Sequence, residues 1–177
     1  MHVDDFLHAF NLVEERVDMH IDYAHTIAIG YHNQRYYLVI VIDGVDFLWA
    51  SPTATKNDPE ALLEEFLRIT RIKIRRIQMD DAGQLSRSAT FKTWCDSRGI
   101  NRCPTPGYQH TMQARAEGAV RICKEHVRCL LKHAGMPYRF WPWAIKQFCR
   151  IYNYWPCKGH APPWEILTNT DFSHDIQ

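Results

Sequence analysis

Three carboxylates occupy places along the chain from which they could bind the same metal ions. Asp22 ends an alternating polar and apolar stretch, Asp80 ends a second strand-like stretch, and Glu117 opens a helix-patterned run. Carboxylates and open water positions suit Mg²⁺ or Mn²⁺, and two such ions can activate the attacking oxygen and stabilise the leaving oxygen in phosphodiester displacement. Because the chain has 20 Asp and Glu residues, the three are equally interpretable as solvated surface acids, and their neighbourhoods must decide.

The elements that would position these acids form an α/β pattern. Alternating or continuous apolar, β-branched runs predict strands at residues 16–22, 36–43, 46–50, 73–80 and 100–103. Helical periodicity predicts helices after Asn57 or Asp58 with Pro59 in the first turn, and at 86–98, 113–134 and 137–155. This order predicts a five-stranded mixed sheet flanked by helices. In such folds, an acid at the carboxyl end of a strand lies where active sites form.

Composition limits the class of protein without naming a partner. The 177 residues are 46% hydrophobic, which is enough for one folded domain and excludes a disordered tail. No apolar run approaches the ~20 residues of a membrane span, and the N-terminus lacks the pattern of a signal peptide. Without paired zinc-like spacing, the cysteines are interpreted as reduced thiols of an intracellular protein. They are Cys95, Cys103, Cys123, Cys129, Cys149 and Cys157.

A basic stripe follows Glu117 along the predicted helix. Arg121, Lys124 and Arg128 continue it at helical spacing, which predicts a solvent-accessible row beside the apolar face. That apolar face comprises Ala116, Val120, Cys123, Val127, Leu130 and Ala134. A basic row leading away from a metal-binding acid is where a nucleic-acid backbone would run. The alternative is an ordinary solvated helix face.

The histidines raise the alternative of a zinc site, which their spacing does not favour. The candidate zinc ligands are Cys149, Cys157 and His160. Their spacing matches no zinc-ligand pattern, so structural or surface roles are the prediction. His20 and His25 flank Asp22, where they could tune it or orient a phosphate. Solvated side chains are the preferred interpretation for both.

Taken together, these stretches resemble the catalytic core of retroviral-type integrases, most closely those of copia-type LTR retrotransposons. MHIDYAH is similar to the family's first-Asp strand, and RYYLVIVIDGVDFLWA to its second and third strands. RRIQMDDAGQL followed by FKTWCDSRGI resembles the second-Asp segment, and PGYQHTMQARAEGAVR the segment of the catalytic Glu. MPYRFWPWAI, YNYWP and APPWEIL resemble the closing pattern. Positions 81–116, 36 residues, separate the second acid from the third, close to the family's usual thirty-five.

The resemblance, which covers about Val17 to Leu167, implies an RNase H-like fold and a specific chemistry. Family cores bind two Mg²⁺ (or Mn²⁺) ions and catalyse 3′-end processing and strand transfer of element DNA. Carried over by position, the metal-binding and catalytic residues are Asp22, Asp80 and Glu117. The DNA-binding residues are Arg121 and Lys124, with Arg128 next on the stripe.

The same resemblance implies an organisation and partners. Residues 16–168 are expected to form the integrase catalytic core, with 1–15 as a lead-in segment and 169–177 as a tail. The expected partners are double-stranded DNA ends, target DNA and further copies of the chain in a homo-oligomer, with no membrane. The expected location is intracellular, in the nucleus and in a cytoplasmic particle.

Neighbouring acids compete for two of the three positions. Asp81 is the nearest rival of Asp80, but it occupies the Asn position of the family pattern. Asp43 and Asp46 compete with Asp22, but they flank a turn where the family places no ligand.

Departures from the family pattern support a second hypothesis, a decayed integrase-like domain that binds DNA or a partner without catalysis. They are Asp81 for Asn, Ala82 for Gly, Gln84 for Glu, Gly107 and His110 for prolines, and Gln113-Ala114 for Asn-Gly. A third hypothesis, an RNase H-like nuclease outside transposition, shares the metal site.

Overall fold

A five-stranded mixed sheet forms the centre of the molecule, as predicted. β1 (Val17–His25), β2 (Tyr36–Ile42) and β3 (Phe47–Thr53) make an antiparallel meander. β4 (Ile74–Asp80) lies parallel to β1, and β5 (Asn101–Thr105) lies parallel to β4. The strand order is therefore β3-β2-β1-β4-β5. β2 is apolar along its length because both faces of the sheet are covered.

The structure is a computed structural model that describes residues 16–81, 84–105, 110–156 and 159–168, without the side chains of 110–113. Its helices are α1 (Pro59–Thr70), α2 (Gln84–Arg87), α3 (Ala89–Ser97), α4 (His110–His133), α5 (Trp141–Tyr154) and α6 (Pro163–Thr168). A 3-10 turn at Tyr138–Phe140 precedes α5. The predicted lead-in segment and tail, and residues 106–109 of the loop before α4, lie outside the described residues. Within the described ranges, no helix has the length and apolar character to cross a membrane.

Two apolar layers hold the helices to the sheet. On one face, Ile21 and Ile40 pack with Phe66 of α1 and Phe91 of α3. On the other face, the buried residues of the sheet pack with α4 and α5; they include Tyr37, Val39, Cys123, Trp141 and Ile145. Because side chains alternate across a strand, Asp18, His20 and Asp22 of β1 share this second face.

Two helical predictions change in detail, and one further helix is present. The helix predicted at 86–98 is divided, because Ser88 has an extended backbone and its Oγ accepts a hydrogen bond from the Phe91 N–H, which starts α3. α1 begins at Pro59 as expected, but the Asp58 side chain makes no capping hydrogen bond. α6 was not predicted.

The predicted buried faces of α4 and α5 are wrong at their C-terminal ends. On α4 the buried face ends at Leu131, and Ala134 is exposed beyond the helix. On α5, helical periodicity continued from Trp141, Ile145 and Phe148 predicts that Ile151 and Trp155 are buried as well, yet their exposed fractions are 45% and 71%. Trp155 adopts an extended backbone directly after α5 ends, so helical periodicity no longer sets its direction.

Asn153 connects α5 to the edge of the sheet. Its side chain is 2% exposed. The Asn153 Oδ1 accepts from the Leu48 N–H at 2.9 Å, and the Asn153 Nδ2 donates to the Leu48 carbonyl at 2.7 Å. The amide thus satisfies both backbone groups of one β3 residue, which would otherwise be buried without partners.

Replacing Asn153 by Asp is expected to lower the free energy of unfolding by ~2–4 kcal/mol, because a buried carboxylate cannot donate to the Leu48 carbonyl and carries an unpaired charge. Urea denaturation would measure this as a lower midpoint with an unchanged slope. Gln147→Glu makes the same chemical change at an exposed position of α5 and is expected to stay near wild type. Equal losses in the two variants would contradict the role given to Asn153.

Candidate active site

Asp22 and Asp80 lie where the two central parallel strands stop pairing. The parallel pairs of β1 and β4 run from Val17 and Ile74 to His20 and Gln78. Asp22 and Asp80 each follow the last pair by two residues. Their side chains therefore point to the same face of the sheet as those of His20 and Gln78, and the two acids lie at the same height along the strands. β1 itself extends to His25. The prediction that Asp22 ends its strand is therefore wrong. Asp22 lies within β1, just beyond the last residue pair that joins β1 to β4.

A small cleft brings the three predicted acids together. Its volume is about 90 Å³, and Asp22, Asp80 and Glu117 all line it. The other lining residues are His20, Ile21, Gln78, Met79, Thr105 and Ala116. α4 contributes Glu117 because the small buried side chains of Ala116 and Ala119 let the helix lie close to the sheet. Glu117 is exposed at the margin, whereas Asp22 and Asp80 are half-buried.

The acids of the cleft influence one another. Burial raises the pKa of Asp22, and the negative charges of Asp80 and Glu117 raise this pKa further. The Tyr23 N–H and the positive charge of Lys56 act in the opposite direction. A bound cation would remove both the burial cost and the mutual repulsion of the carboxylates.

The donor set suits a hydrated divalent ion. Asp22, Asp80 and Glu117 offer the carboxylate oxygens that Mg²⁺ and Mn²⁺ prefer. Gln78 also lines the cleft, and its buried Oε1 accepts no hydrogen bond from the part of the chain that the structure describes. Among the described residues, however, no three His, Cys, Asp or Glu side chains are grouped closely enough to hold a metal ion. The carboxylates therefore fit a divalent ion by the chemistry of their oxygens and not by a preformed coordination geometry.

The rival acids lie outside the lining of this cleft. Asp81 is exposed in the turn after β4, and its backbone N–H donates to the Thr105 carbonyl at 3.2 Å. Asp43 accepts hydrogen bonds from His20 and Arg115. Asp46 lies in the turn between β2 and β3 with a positive φ of 54°.

Basic residues lie along α4 beyond Glu117 and in the loop before α1. Arg121, Lys124 and Arg128 are exposed along α4, as the stripe predicted. Lys56 lies close enough to Asp22 to lower its pKa, and its Nζ is 5.0 Å from the ring centroid of Tyr36 and 5.8 Å from that of Tyr23. Lys56 stands in a loop between β3 and α1, and no spacing in the sequence indicated it.

The prediction for His20 is wrong. This side chain is 6% exposed rather than solvated, and its Nε2 lies 3.0 and 3.1 Å from the two carboxylate oxygens of Asp43. Of the three candidate zinc ligands, Cys149 is buried against Cys123 and His160 is exposed, while Cys157 lies outside the described residues. The hydrogen bond with Cys123 and burial together raise the pKa of the Cys149 thiol.

Comparison with known proteins was made by sequence and by fold. No family model matches the chain. The retrovirus-related Pol polyprotein from transposon TNT 1-94 of Nicotiana tabacum is 30% identical over 148 residues. That match covers 79% of this chain but only 11% of the polyprotein, so the chain spans about a tenth of its relative's length.

Solved structures with the same fold include integrase catalytic cores and a chain of a retroviral intasome. A chain of the simian T-cell lymphotropic virus intasome aligns with a TM-score of 0.70 and 16% identity, covering 88% of this chain and 55% of that one. The BIV integrase catalytic core gives a TM-score of 0.64 at 16% identity, covering 86% and 93%. The HTLV-2 integrase catalytic core, solved with magnesium in a dimeric form, gives 0.64 at 17%, covering 86% and 95%.

The fold comparison confirms the predicted RNase H-like fold, and the sequence match lies in a retrotransposon Pol polyprotein. The resemblance inferred from the sequence motifs is thereby confirmed: the chain is similar in sequence to a stretch of a retrotransposon Pol polyprotein and has the fold of retroviral integrase catalytic cores.

Proposed function

We propose that this chain is an integrase catalytic core that performs two-metal phosphoryl transfer on DNA, in the 3′-end processing and strand transfer of retrotransposon DNA. The observation that carries the proposal is the cleft shared by Asp22, Asp80 and Glu117, in a chain with the fold of integrase cores. Acids from two strands and one helix meet there although they are far apart in sequence. Solvated surface acids would have no reason to share one cleft.

In this proposal the acidic residues bind the metal ions and the basic residues bind the DNA backbone. Asp22, Asp80 and Glu117 would hold two Mg²⁺ or Mn²⁺ ions, which when bound activate the attacking oxygen and stabilise the leaving oxygen of the phosphodiester. Without cations, the carboxylates would repel a phosphate group. The exposed Arg121 and Lys124, with the next stripe residue, Arg128, would hold the DNA backbone beside the cleft and carry no base specificity.

The proposed partners follow from the same assignment. Double-stranded DNA ends and target DNA would both lie along the basic side of α4. Further copies of the chain are the third expected partner, and the HTLV-2 core with this fold has dimeric and trimeric forms. The proposed location remains the nucleus and a cytoplasmic particle.

Removal of the divalent ion tests the proposal directly. The 177-residue chain would be incubated with labelled duplex ends and a plasmid target, and cleaved and joined products would be resolved on a gel. Products are expected with Mg²⁺ or Mn²⁺ and not with a chelator, because the acids cannot act without the ions. Products that form equally well in the chelator would contradict the metal-dependent mechanism.

A second function, DNA binding or partner binding without catalysis, is favoured by one observation. Among the residues that the structure describes, no three His, Cys, Asp or Glu side chains are grouped so that they could hold a metal ion. A chain that binds duplex DNA with a strong salt dependence, but forms no product with either ion, would establish this alternative.

A further inference from the structure

Three side chains from separate elements meet beside the cleft. The Asp43 carboxylate, directly after β2, faces His20 of β1, whose Nε2 is 3.0 Å from Oδ1 and 3.1 Å from Oδ2. The Arg115 Nη1 of α4 donates to the same Asp43 Oδ1 at 2.8 Å. Asp43 therefore joins the sheet to the helix.

The place of these residues along the chain relates them to the acids of the cleft. His20 is two residues before Asp22 on the same face of β1, and it also lines the cleft. Arg115 is two residues before Glu117, in the same turn of α4. A shift at the Arg115–Asp43 contact would therefore move Glu117 relative to Asp22.

The packing of α4 near Glu117 is weak, so the Arg115–Asp43 contact is needed to fix the position of this part of the helix. Ala116 and Ala119 are the small buried residues of this part of the helix, and they offer little shape to resist sliding. Glu117 is exposed, so packing does not hold its side chain. A charge-assisted hydrogen bond is roughly twice as strong as a neutral one and also fixes direction. His20 is 6% exposed, and its contact with both oxygens of Asp43 restrains the carboxylate.

We propose that His20, Asp43 and Arg115 form a positioning clamp that sets where Glu117 stands over Asp22 and Asp80, and thereby the affinity of the cleft for divalent ions. The inference rests on the proposed function, since it assigns ion binding to those acids. The three are positioning residues and bind no ion themselves. Arg115 acts through Asp43 rather than through a DNA phosphate.

The test measures Mn²⁺ binding by the whole chain without DNA, by titration calorimetry. Arg115→Met is expected to weaken Mn²⁺ binding by ~10-fold, the lower end of what loss of a supporting group around a metal site costs. Asp43→Asn should weaken it similarly, and the double variant should be no worse than either single variant, because both break one contact. Arg115→Lys should recover part of the affinity.

Arg98→Met is the matched control. Arg98 is 40% exposed and pairs with Glu64 between α3 and α1, on the opposite face of the sheet, whereas Arg115 is 51% exposed. The control should bind Mn²⁺ as the wild type does. DNA affinity in a chelator should be the same for Arg115→Met and for Arg98→Met if Arg115 is not a phosphate contact.

The outcomes separate the clamp from the proposed function. If the wild type and Arg115→Met bind Mn²⁺ equally well, the clamp is wrong while the metal site stands. If Arg115→Met loses DNA affinity and keeps Mn²⁺ affinity, Arg115 is a DNA contact and the clamp is again wrong. If the wild type binds no Mn²⁺, the proposed metal chemistry and the clamp both fail. Additive losses in the double variant would also overturn the clamp.

Discussion

Replacing Asp80 by Asn, or Glu117 by Gln, is expected to lower the rate of Mn²⁺-dependent DNA cleavage and joining by about 10³-fold or more. Both substitutions keep the size of the side chain and remove a charged metal ligand. A catalytic ion supplies several kcal/mol of transition-state stabilisation, and each ~1.4 kcal/mol is a factor of ten in rate. The measurement is the initial rate of product formation on duplex DNA ends at saturating Mn²⁺.

Asp81→Asn is the matched control for this prediction. It makes the same chemical change one residue further along the chain, at an exposed position outside the lining of the cleft. Its rate is expected to remain within a few-fold of the wild type. If Asp81→Asn is inactive while Asp80→Asn is active, the assignment of the second acid is wrong and Asp81 takes that role.

Replacing Asp22 by Asn is expected to lower the rate by about the same factor as the Asp80 and Glu117 variants. Unlike most inactivating substitutions, it is also expected to stabilise the metal-free protein. The carboxylate is half-buried beside two other acids, and both burial and their charges raise its pKa. Its ionised form therefore destabilises the fold at neutral pH when no cation is bound. The melting temperature without metal is expected to rise by about 2–4 °C for each kcal/mol gained.

The pH dependence of that gain has a definite sign. Because the pKa of Asp22 is higher in the folded protein than the ordinary value of 3.8, the folded state holds the proton more tightly than the unfolded chain. The contribution of Asp22 to stability is full below pH 3.8 and is lost as the pH rises through the folded-state pKa. The difference in melting temperature between Asp22→Asn and the wild type should therefore grow from acidic to neutral pH.

Addition of Mn²⁺ should reverse the order of stability. An ion that binds only the folded state stabilises it by mass action. The wild type should gain melting temperature with Mn²⁺, and Asp22→Asn should gain much less. A variant that is less stable than the wild type without metal at pH 7 would show that Asp22 makes favourable contacts that outweigh its burial and repulsion.

The strands, the main helices and the acids of the cleft were predictable because each depends on local pattern. The continuous apolar run of β2 predicts a central strand, and the periodicity of α4 predicts a helix. Asp22 and Asp80 could be placed near one another because both follow apolar stretches that belong in one sheet. Glu117 could be added because a basic stripe follows it along an amphipathic helix, and the motif resemblance supported all three. The predicted place of Glu117 at the helix start is wrong, because α4 begins at His110.

Other features depended on pairs that are remote in sequence. Arg115 and Asp43 are 72 residues apart, and Asn153 and Leu48 are 105 residues apart. Local pattern marks each of these as an ordinary polar residue of a helix or a turn. The exposure of Trp155 was missed for a related reason, because helical periodicity does not predict where the helix stops.

The sequence by itself determined the alternation and the spacing that put three acids on one side of a mixed sheet, because side-chain direction follows from the period of strand and helix. Only the tertiary structure decided which polar groups around them are buried and paired. His20 shows the difference: its sequence context fits a solvated side chain, and it is buried because the turn after β2 brings the Asp43 carboxylate within 3.0 Å of its ring. Burial of a polar group is stable only where a partner arrives from elsewhere in the chain, and that partner is set by the packing of elements rather than by neighbours in sequence.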